Sequence, residues 1–185
     1  MTQSPFLGER APLSPIEKIH AEHDTGPFDC GKDELNRFLK RFALSSLQAN
    51  SAQTYVAARD RVVIGYYSLA VGSVDHQDAP ARVGKGLAKH RIPIMVLARL
   101  AVDRSEQGTG IGKGMLKDAL RRTAQAADIA GMRALFVAAK EDETQRFYAH
   151  FNFDPFPADQ HQLFLVMKDL KRLVSSNSPP DETEK

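Results

Sequence analysis

The chain lacks most of what marks a secreted, membrane or metal-organised protein. It has one cysteine, Cys30, in 185 residues, so neither an intramolecular disulfide nor a Cys-rich zinc site is available. No apolar run approaches the roughly 18 residues of a membrane-spanning helix. The opening MTQSPFLGERAPLSP has no basic stretch followed by an apolar one, which predicts no secretory signal and a cytoplasmic protein. Neither sign of charge dominates: 25 basic residues face 23 acidic ones, a formal net charge of +2. That excess is too small to announce nucleic-acid binding by itself. The histidines show no zinc spacing. His20 and His23 stand three apart on an irregular arm and no H-E-x-x-H occurs, so no metal site is expected. A G-x-S-x-G nucleophile turn is absent as well.

What is present describes a single globular domain. Hydrophobic residues make up 42% of the chain and charged ones 26%, near the average for folded domains. Residues 1–15, with Pro5, Pro12 and Pro15, read as an irregular arm. Residues 174–185 read as a flexible polar tail, leaving 16–173 for the fold. Charge gathers in the middle of the chain. Between Ala79 and Pro93 stand Arg82, Lys85, Lys89, His90 and Arg91 without an acid, and from Arg104 to Arg122 five basic residues face two acids.

Periodicity divides the domain into elements. Leu35, Phe38, Leu39, Phe42, Ala43 and Leu47 recur at helical spacing, with Asp33 and Glu34 at the favourable start. The period then becomes that of strands. Thr54–Ala58 and Arg61–Val71, with Arg59-Asp60 between them, predict a β-hairpin. Ala79–Arg91 is a loop or a short helix, and Ile92–Val102 a buried strand. Gly108–Ala130 predicts a helix stopped by Gly131. A strand over Arg133–Ala139, a helix over Asp142–His150 and a strand over Leu163–Met167 complete the pattern. Strands alternating with helices late in the chain indicate an α/β protein with mixed strand directions.

The turn between Val102 and Met115 carries the chemistry. A strand, a glycine-rich turn and a helix place bare backbone N–H groups where anions bind. A Walker A loop fails twice: Gln107 stands where the first glycine belongs, and Gly114 follows Lys113 where Ser or Thr is needed. A G-x-G-x-x-G dinucleotide fingerprint fails from Gly108, which meets Lys113, and from Gly110, which meets Met115. The spacing that fits is Q-x-x-G-x-G, formed by Gln107, Gly110 and Gly112.

This motif resembles the acetyl-CoA pyrophosphate signature of the GNAT N-acetyltransferases. The resemblance narrows to one branch. Phe28-Asp29-Cys30-Gly31 with Leu35-Asn36, Thr54-Tyr55-Val56, Gly65-Tyr66-Tyr67-Ser68-Leu69, Pro93-Ile94, Leu97-Ala98-Arg99-Leu100-Ala101-Val102-Asp103 and Phe147-Tyr148 look like the GNAT toxins of type II toxin–antitoxin modules. The likeness runs from about Phe28 to Leu170. Three positions depart from the branch: Phe38 stands for an expected Trp, Gln53 for a basic residue that would contact RNA, and Asn152 for a Gly. Asn tolerates left-handed backbone, so that turn is expected to survive.

The resemblance implies a GNAT fold over 16–173: a mixed, mostly antiparallel central sheet flanked by helices, with splayed central strands holding acetyl-CoA. Leu100, Ala101 and Val102 would pair with the pantetheine amides. The backbone of Gly108, Thr109, Gly110, Ile111, Gly112 and Lys113, with Gln107, would hold the pyrophosphate, and Ala138 and Ala139 would flank the gap that admits the thioester. Tyr148, also at the cofactor, is the candidate general acid. A phenol near pKa 10 lies above a thiol near 8.5, so it can protonate the departing thiolate. No general base stands out; Glu141, Asp142 and Glu143 read as a solvated face. An α-amine titrates near 8 in peptides, and esterification of the neighbouring carboxyl lowers that value, so a base is unnecessary.

The implied acceptor is the α-amine of an aminoacyl-tRNA, whose acetylation stops translation. Arg82, Lys85, Lys89 and Arg91 would carry tRNA phosphates. Arg99, inside an apolar strand, is either a structural ion pair or a substrate contact. A homodimer and a small ribbon-helix-helix antitoxin are the implied partners. Two other functions fit the motifs: an acetyltransferase for a small amine or protein N-terminus, and a catalytically inactive module binding antitoxin or nucleic acid. Cys30 reads as a small buried residue, not a nucleophile.

Overall fold

The computed structural model describes residues 10–176; the expected arm over 1–9 and the expected tail from 177 onward lie outside the described residues. In chain order the elements are β1 (Glu17–Lys18), α1 (Asp33–Arg41), α2 (Ala43–Gln48), β2 (Gln53–Arg59), β3 (Val62–Val74), α3 (Ala81–Gly84), β4 (Ile92–Val102), α4 (Ile111–Ile129), β5 (Ala134–Ala138), α5 (Asp142–Ala149), β6 (Asp154–Pro155), β7 (Gln162–Val166) and α6 (Met167–Ser176). The strands form one seven-stranded sheet in the order β1-β2-β3-β4-β5-β7-β6. Only β4 and β5 pair in parallel; every other neighbour is antiparallel. The α/β class and the mixed sheet are as the sequence indicates.

The sheet is covered on both faces where β3 crosses it. Residues Val63 to Leu69 are buried without interruption, the pattern of a strand with no solvent face. Adjacent tyrosines serve the two sides. Tyr66 packs with Phe28, Phe38 and Leu39 beneath α1, and Tyr67 packs with Met115, Leu116 and Ala119 of α4. A third cluster, with Phe156, Phe164 and Ile92, closes the β7 end.

Several boundaries move for physical reasons. The apolar stripe from Leu35 to Leu47 is split at Phe42, whose φ of −121° ends α1 while its N–H still bonds Phe38 O at 2.8 Å. The hairpin turn falls at Asp60-Arg61, one residue later than the sequence suggests. Both residues have positive φ, 45° and 68°, the arrangement whose twist matches the flanking strands. The segment 79–91 holds a four-residue helix, α3. Helix α4 ends at Ile129 with extended backbone at Ala130, and Gly131 is absent from the positive-φ glycines, so it is not a left-handed stop. Asn152 has φ 61°, the left-handed turn expected of it. The chain does not end its fold at Leu173: α6 continues through Val174 to Ser176. Residues of the arm are also engaged, since Leu13 bridges Arg59 and Ser14 N bonds Ala58 O at 2.9 Å. No described helix is long and apolar enough to cross a membrane.

One buried carboxylate ties α4 to the sheet. Asp118 Oδ2 accepts from the Tyr67 hydroxyl at 2.6 Å and from Arg122 Nε at 2.8 Å, and Oδ1 accepts from Arg121. Burial pushes this carboxyl up, but the hydrogen bonds from Tyr67, Arg122 and Arg121 outweigh it and hold the group below the usual carboxylate range. A folded pKa below the unfolded one stabilises fully above the unfolded value, and the contribution fades as pH falls through the folded one. Asp118→Asn is therefore expected to cost about 1.5–3 kcal/mol near neutrality. The difference from the unsubstituted chain should close below about pH 4, read by urea denaturation across pH.

Candidate acetyl-transfer site

The sheet opens in its middle. Strands β4 and β5 pair from Ile94↔Ala134 to Leu97↔Val137 and no further. The β3–β4 register jumps at the same place, from Leu69↔Leu97 to Ser68↔Arg99, so Ala98 is an extra residue. Such a bulge bends its strand and raises the local twist. Beyond it β4 continues to Val102 against β3 alone, with Tyr67↔Leu100 and Gly65↔Val102 opposite each other. Strand β5 keeps its other partner: Ala138 pairs with Gln162, and Ala139 N bonds His161 O at 2.7 Å. Leu100, Ala101 and Val102 therefore present one free ladder edge toward a gap whose far side is Ala138 and Ala139. A free edge is a template for an extended ligand with amides of its own.

The glycine turn sits at the end of that edge, and polar side chains clamp it. Asp103 accepts from Ser105 N (2.9 Å), Ser105 Oγ (2.7 Å) and Asp29 N (2.8 Å). Asp29 in turn accepts from Gly31 N and Asn36 Nδ2, both at 2.8 Å. The Gln107 side-chain amide donates to Cys30 O (3.2 Å) and Val102 O (3.0 Å). Gln107 thus joins the strand end to the Asp29–Gly31 loop, while the backbone after it is left for a ligand. Glu106 is buried beneath the turn and paired with Arg59 (3.0 Å) and Arg10 (3.4 Å). The motif residues Asp29, Asn36 and Asp103 are the clamp, a role that spacing in the sequence does not reveal.

Gly108 and Gly110 adopt φ +76° and +92°, and a Cβ on either would meet nothing within 4 Å. Backbone conformation, not crowding, requires glycine there, and the space above the turn is open. Gly110 caps α4, whose first turn has no acid but carries exposed Lys113. A cation at a helix N-terminus opposes the dipole unless an anion joins it. The unpaired N–H groups of the first turn supply the donors for that anion.

Tyr148 lies on α5, just past the end of β5, and is 3% exposed, packed on Phe147 and Phe153. Burial pushes its phenol pKa well up, so it stays protonated. The Tyr66 and Tyr67 hydroxyls are taken by Leu35 O and Asp118. The Tyr148 hydroxyl donates to no partner among the described residues. Arg99 forms no ion pair among the described residues; its guanidinium lies 3.7 Å above the Phe38 ring. Glu141 pairs with Lys32 at 2.7 Å, and burial pushes the Cys30 thiol up, away from nucleophilic use.

The basic segment is not uniform. Arg82 is bound by Asp154 and Asp169, and Arg91 lies 3.0 Å from Ser73 Oγ and 3.6 Å from Asp75. Lys85 and Lys89 are exposed without an ion pair among the described residues. One constellation escaped the sequence reading: Glu17, His20 and His23 bring ligand atoms within 4.8 Å of each other. Both rings use Nδ1 to accept backbone N–H groups, His23 from His20 at 3.1 Å and His20 from Glu22 at 3.3 Å. The Nε2 atoms of His20 and His23 lie 3.8 Å and 3.4 Å from Glu17 Oε1.

Residues 50–155 match the family model described as an acetyltransferase (GNAT) domain. The chain belongs to the GNAT acetyltransferase family. It is 42% identical over 157 residues to the tRNA-acetylating toxin of Mycobacterium tuberculosis, covering 85% of this chain and 94% of that protein. Among solved structures it is similar to AtaT complexed with acetyl-methionyl-tRNAfMet (TM-score 0.80, 30% identity, 88% of this chain and 99% of that one). It is also similar to a tyrosine-to-phenylalanine mutant of AtaT bound to acetyl-CoA and the C-terminus of the antitoxin AtaR (TM-score 0.75, 29% identity, 89% and 99%). For a GNAT acetyltransferase the cofactor is acetyl-CoA, and the residues present fit it. The free β4 edge suits the pantetheine amides, and the acid-free, glycine-lined start of α4 suits the pyrophosphate.

Gly110→Ala tests the cradle. A non-glycine residue in left-handed backbone costs about 1–2 kcal/mol, so the turn should relax away from its ligand geometry. The expected result is a KM for acetyl-CoA raised severalfold, with kcat at saturation nearly kept.

Proposed function

We propose that this chain is the toxin of a type II toxin–antitoxin module and transfers acetyl from acetyl-CoA to the α-amine of aminoacyl-tRNA, blocking translation. One observation carries the catalytic half: the free edge of β4 runs directly into a helix N-terminus bearing Lys113 and no acid. The 42% identity to a tRNA-acetylating toxin supports the choice of acceptor.

The thioester of acetyl-CoA supplies an activated acetyl group. The ladder groups of Leu100–Val102 hold the pantetheine arm extended, and the backbone from Gly108 to Lys113 holds the pyrophosphate. Ala138, small and exposed at the end of β5, leaves room for the acceptor amine to reach the carbonyl, and Ala139 behind it is buried in the core. The amine forms the new C–N bond as the C–S bond breaks. Tyr148 delivers its phenolic proton to the departing sulfur, and the proton lost from the amine goes to solvent. A protonated phenol is needed at that moment, and the burial of Tyr148 secures it. No carboxylate is required as base, since the ester lowers the amine pKa.

Lys85 and Lys89 supply cations for tRNA phosphates, and Arg91 adds to them. Arg82 contributes through the segment's shape, since Asp154 and Asp169 already neutralise it. Arg99, its guanidinium on the Phe38 ring and without an ion pair among the described residues, takes a phosphate near the charged 3′ end in this reading. A cytoplasmic homodimer neutralised by a ribbon-helix-helix antitoxin completes the reading.

Purified protein incubated with labelled acetyl-CoA and a mixed pool of charged tRNA tests it directly. Label should appear on the charged amino acid. Tyr148→Phe should lower kcat by about 10²–10³-fold with acetyl-CoA affinity nearly unchanged; full turnover would remove Tyr148 from proton transfer. Label on free amines but on no charged tRNA would move the acceptor to a small amine or a protein N-terminus. Replacing Lys85 and Lys89 by Ala together should flatten the dependence of log K on log salt for tRNA by roughly 0.7–0.9 per residue.

A further inference from the structure

Helix α4 is held to the sheet in two physically different ways. Its apolar face, with Met115, Leu116, Ala119 and Leu120 all buried, sets its height. Met115 descends onto Gly65, where a Cβ would stand 2.7 Å from the sulfur. This close packing fixes the separation of helix and sheet.

Asp118 adds direction. Its Oδ2 accepts from the Tyr67 hydroxyl at 2.6 Å, and Tyr67 is 0% exposed. A slide of the helix would leave a buried hydroxyl unpaired, which is costly. Tyr67 is itself fixed. Its ring stacks on Tyr55 at 5.1 Å, and the Arg122 guanidinium lies 4.1 Å above Tyr55. Arg122 also donates to Asp118 at 2.8 Å and to Ile16 O at 3.2 Å.

The placement of the two partners gives this bond its consequence. Tyr67 stands directly opposite Leu100 in the ladder, so it backs the strand whose other edge is free. Asp118 lies seven residues after Ile111, the first residue of α4, roughly 10 Å along the axis. A single hydrogen bond therefore links β3, which backs the strand of one subsite, to the helix whose N-terminus forms the other.

We propose that the Asp118–Tyr67 hydrogen bond sets the spacing between the β4 edge and the α4 cradle, so that both halves of acetyl-CoA engage at once. The inference rests on the reading in which the cofactor spans Leu100–Val102 and Gly108–Lys113. Asp118 and Tyr67 are positioning residues; neither is placed against the cofactor. A ligand with two linked halves gains from the second only when the spacing of the subsites matches its own.

Titration of the full chain with three ligands tests this: acetyl-CoA, 3′-phospho-ADP for the cradle, and S-acetylpantetheine for the strand edge. In the unsubstituted chain both fragments should bind, and acetyl-CoA far more tightly than either. Failure of both fragments would overturn the site reading before any variant is compared. In Tyr67→Phe, acetyl-CoA should weaken about tenfold while each fragment stays within about twofold. In turnover the change should appear in KM for acetyl-CoA and not in kcat. Asp118→Asn keeps an acceptor for Tyr67 without the charge and should fall between the two, which also covers a Tyr67→Phe chain that folds poorly. Equal weakening of all three ligands would mean that the helix is merely loosened, and unchanged affinity for all three would mean that packing alone sets the spacing. Either result overturns the proposal.

Discussion

Backbone amides in the middle of a buried sheet need partners, and beyond Leu97 β4 has a strand partner on one side only, with Val102 O taken by the Gln107 amide. The bulge at Ala98 turns the strand away from β5 just where their pairing ends. In an ordinary sheet this would be a defect. Beyond the bulge the strand stays paired with β3, so the free edge is backed by a packed core. Everything else in the site is arranged around this edge. In the proposed reaction the turn at its end would supply anion donors, the gap beside it would admit an acceptor, and Tyr148 would act from α5, the helix that follows β5 in the chain.

The polar residues near the turn act chiefly as scaffolding. The Asp103 carboxylate accepts from Asp29 N and the Gln107 amide donates to Cys30 O and Val102 O, so the Asp29–Gly31 loop and the turn hold the Val102–Gly110 segment in one shape. That shape includes left-handed backbone at Gly108 and Gly110, which a loose loop would not keep. Glu106 adds a buried charge satisfied by Arg59 and Arg10, which draws the first described residues of the arm under the turn. The cofactor groove is thus pre-organised by side chains that need not touch the ligand.

Charge is divided between structure and ligand. Arg82, Arg121 and Arg122 are consumed by carboxylates, and removing their partners would disturb the fold before it affected any substrate. Lys85, Lys89, Lys113 and Arg99 are without ion pairs among the described residues; Arg99 and Lys113 stand on the strand beside the gap and on the first turn of α4, whereas Lys85 and Lys89 precede the opposite end of β4. Tyr148 follows the same division among the tyrosines: Tyr66 and Tyr67 spend their hydroxyls on the core, while Tyr148 buries its ring and leaves its proton available.

Much of this was legible in the residue order because it depends on local rules. Alternation and helical period placed β4 at its observed bounds and α4 and α5 nearly so, and the spacing of Gln107, Gly110 and Gly112 marked the glycine turn, since a strand, a left-handed glycine turn and a helix start are neighbours in the chain. Short edge strands such as β1 and β6 escaped notice, being two residues each with no period to read. Helix α6 (Met167–Ser176) escaped notice as well, since the last element read from the sequence is the strand over Leu163–Met167, and the break at Phe42 was hidden because the apolar stripe runs across it. Three features were decided only in three dimensions. The loss of pairing after Leu97, the bond from Asp118 to Tyr67 across 51 positions of the chain, and the capture of Arg82 by Asp154 and Asp169 all join segments far apart in sequence. Local preference sees neighbours along the chain, whereas a backbone edge, a buried carboxylate and an ion pair are defined by what the folded chain brings beside them.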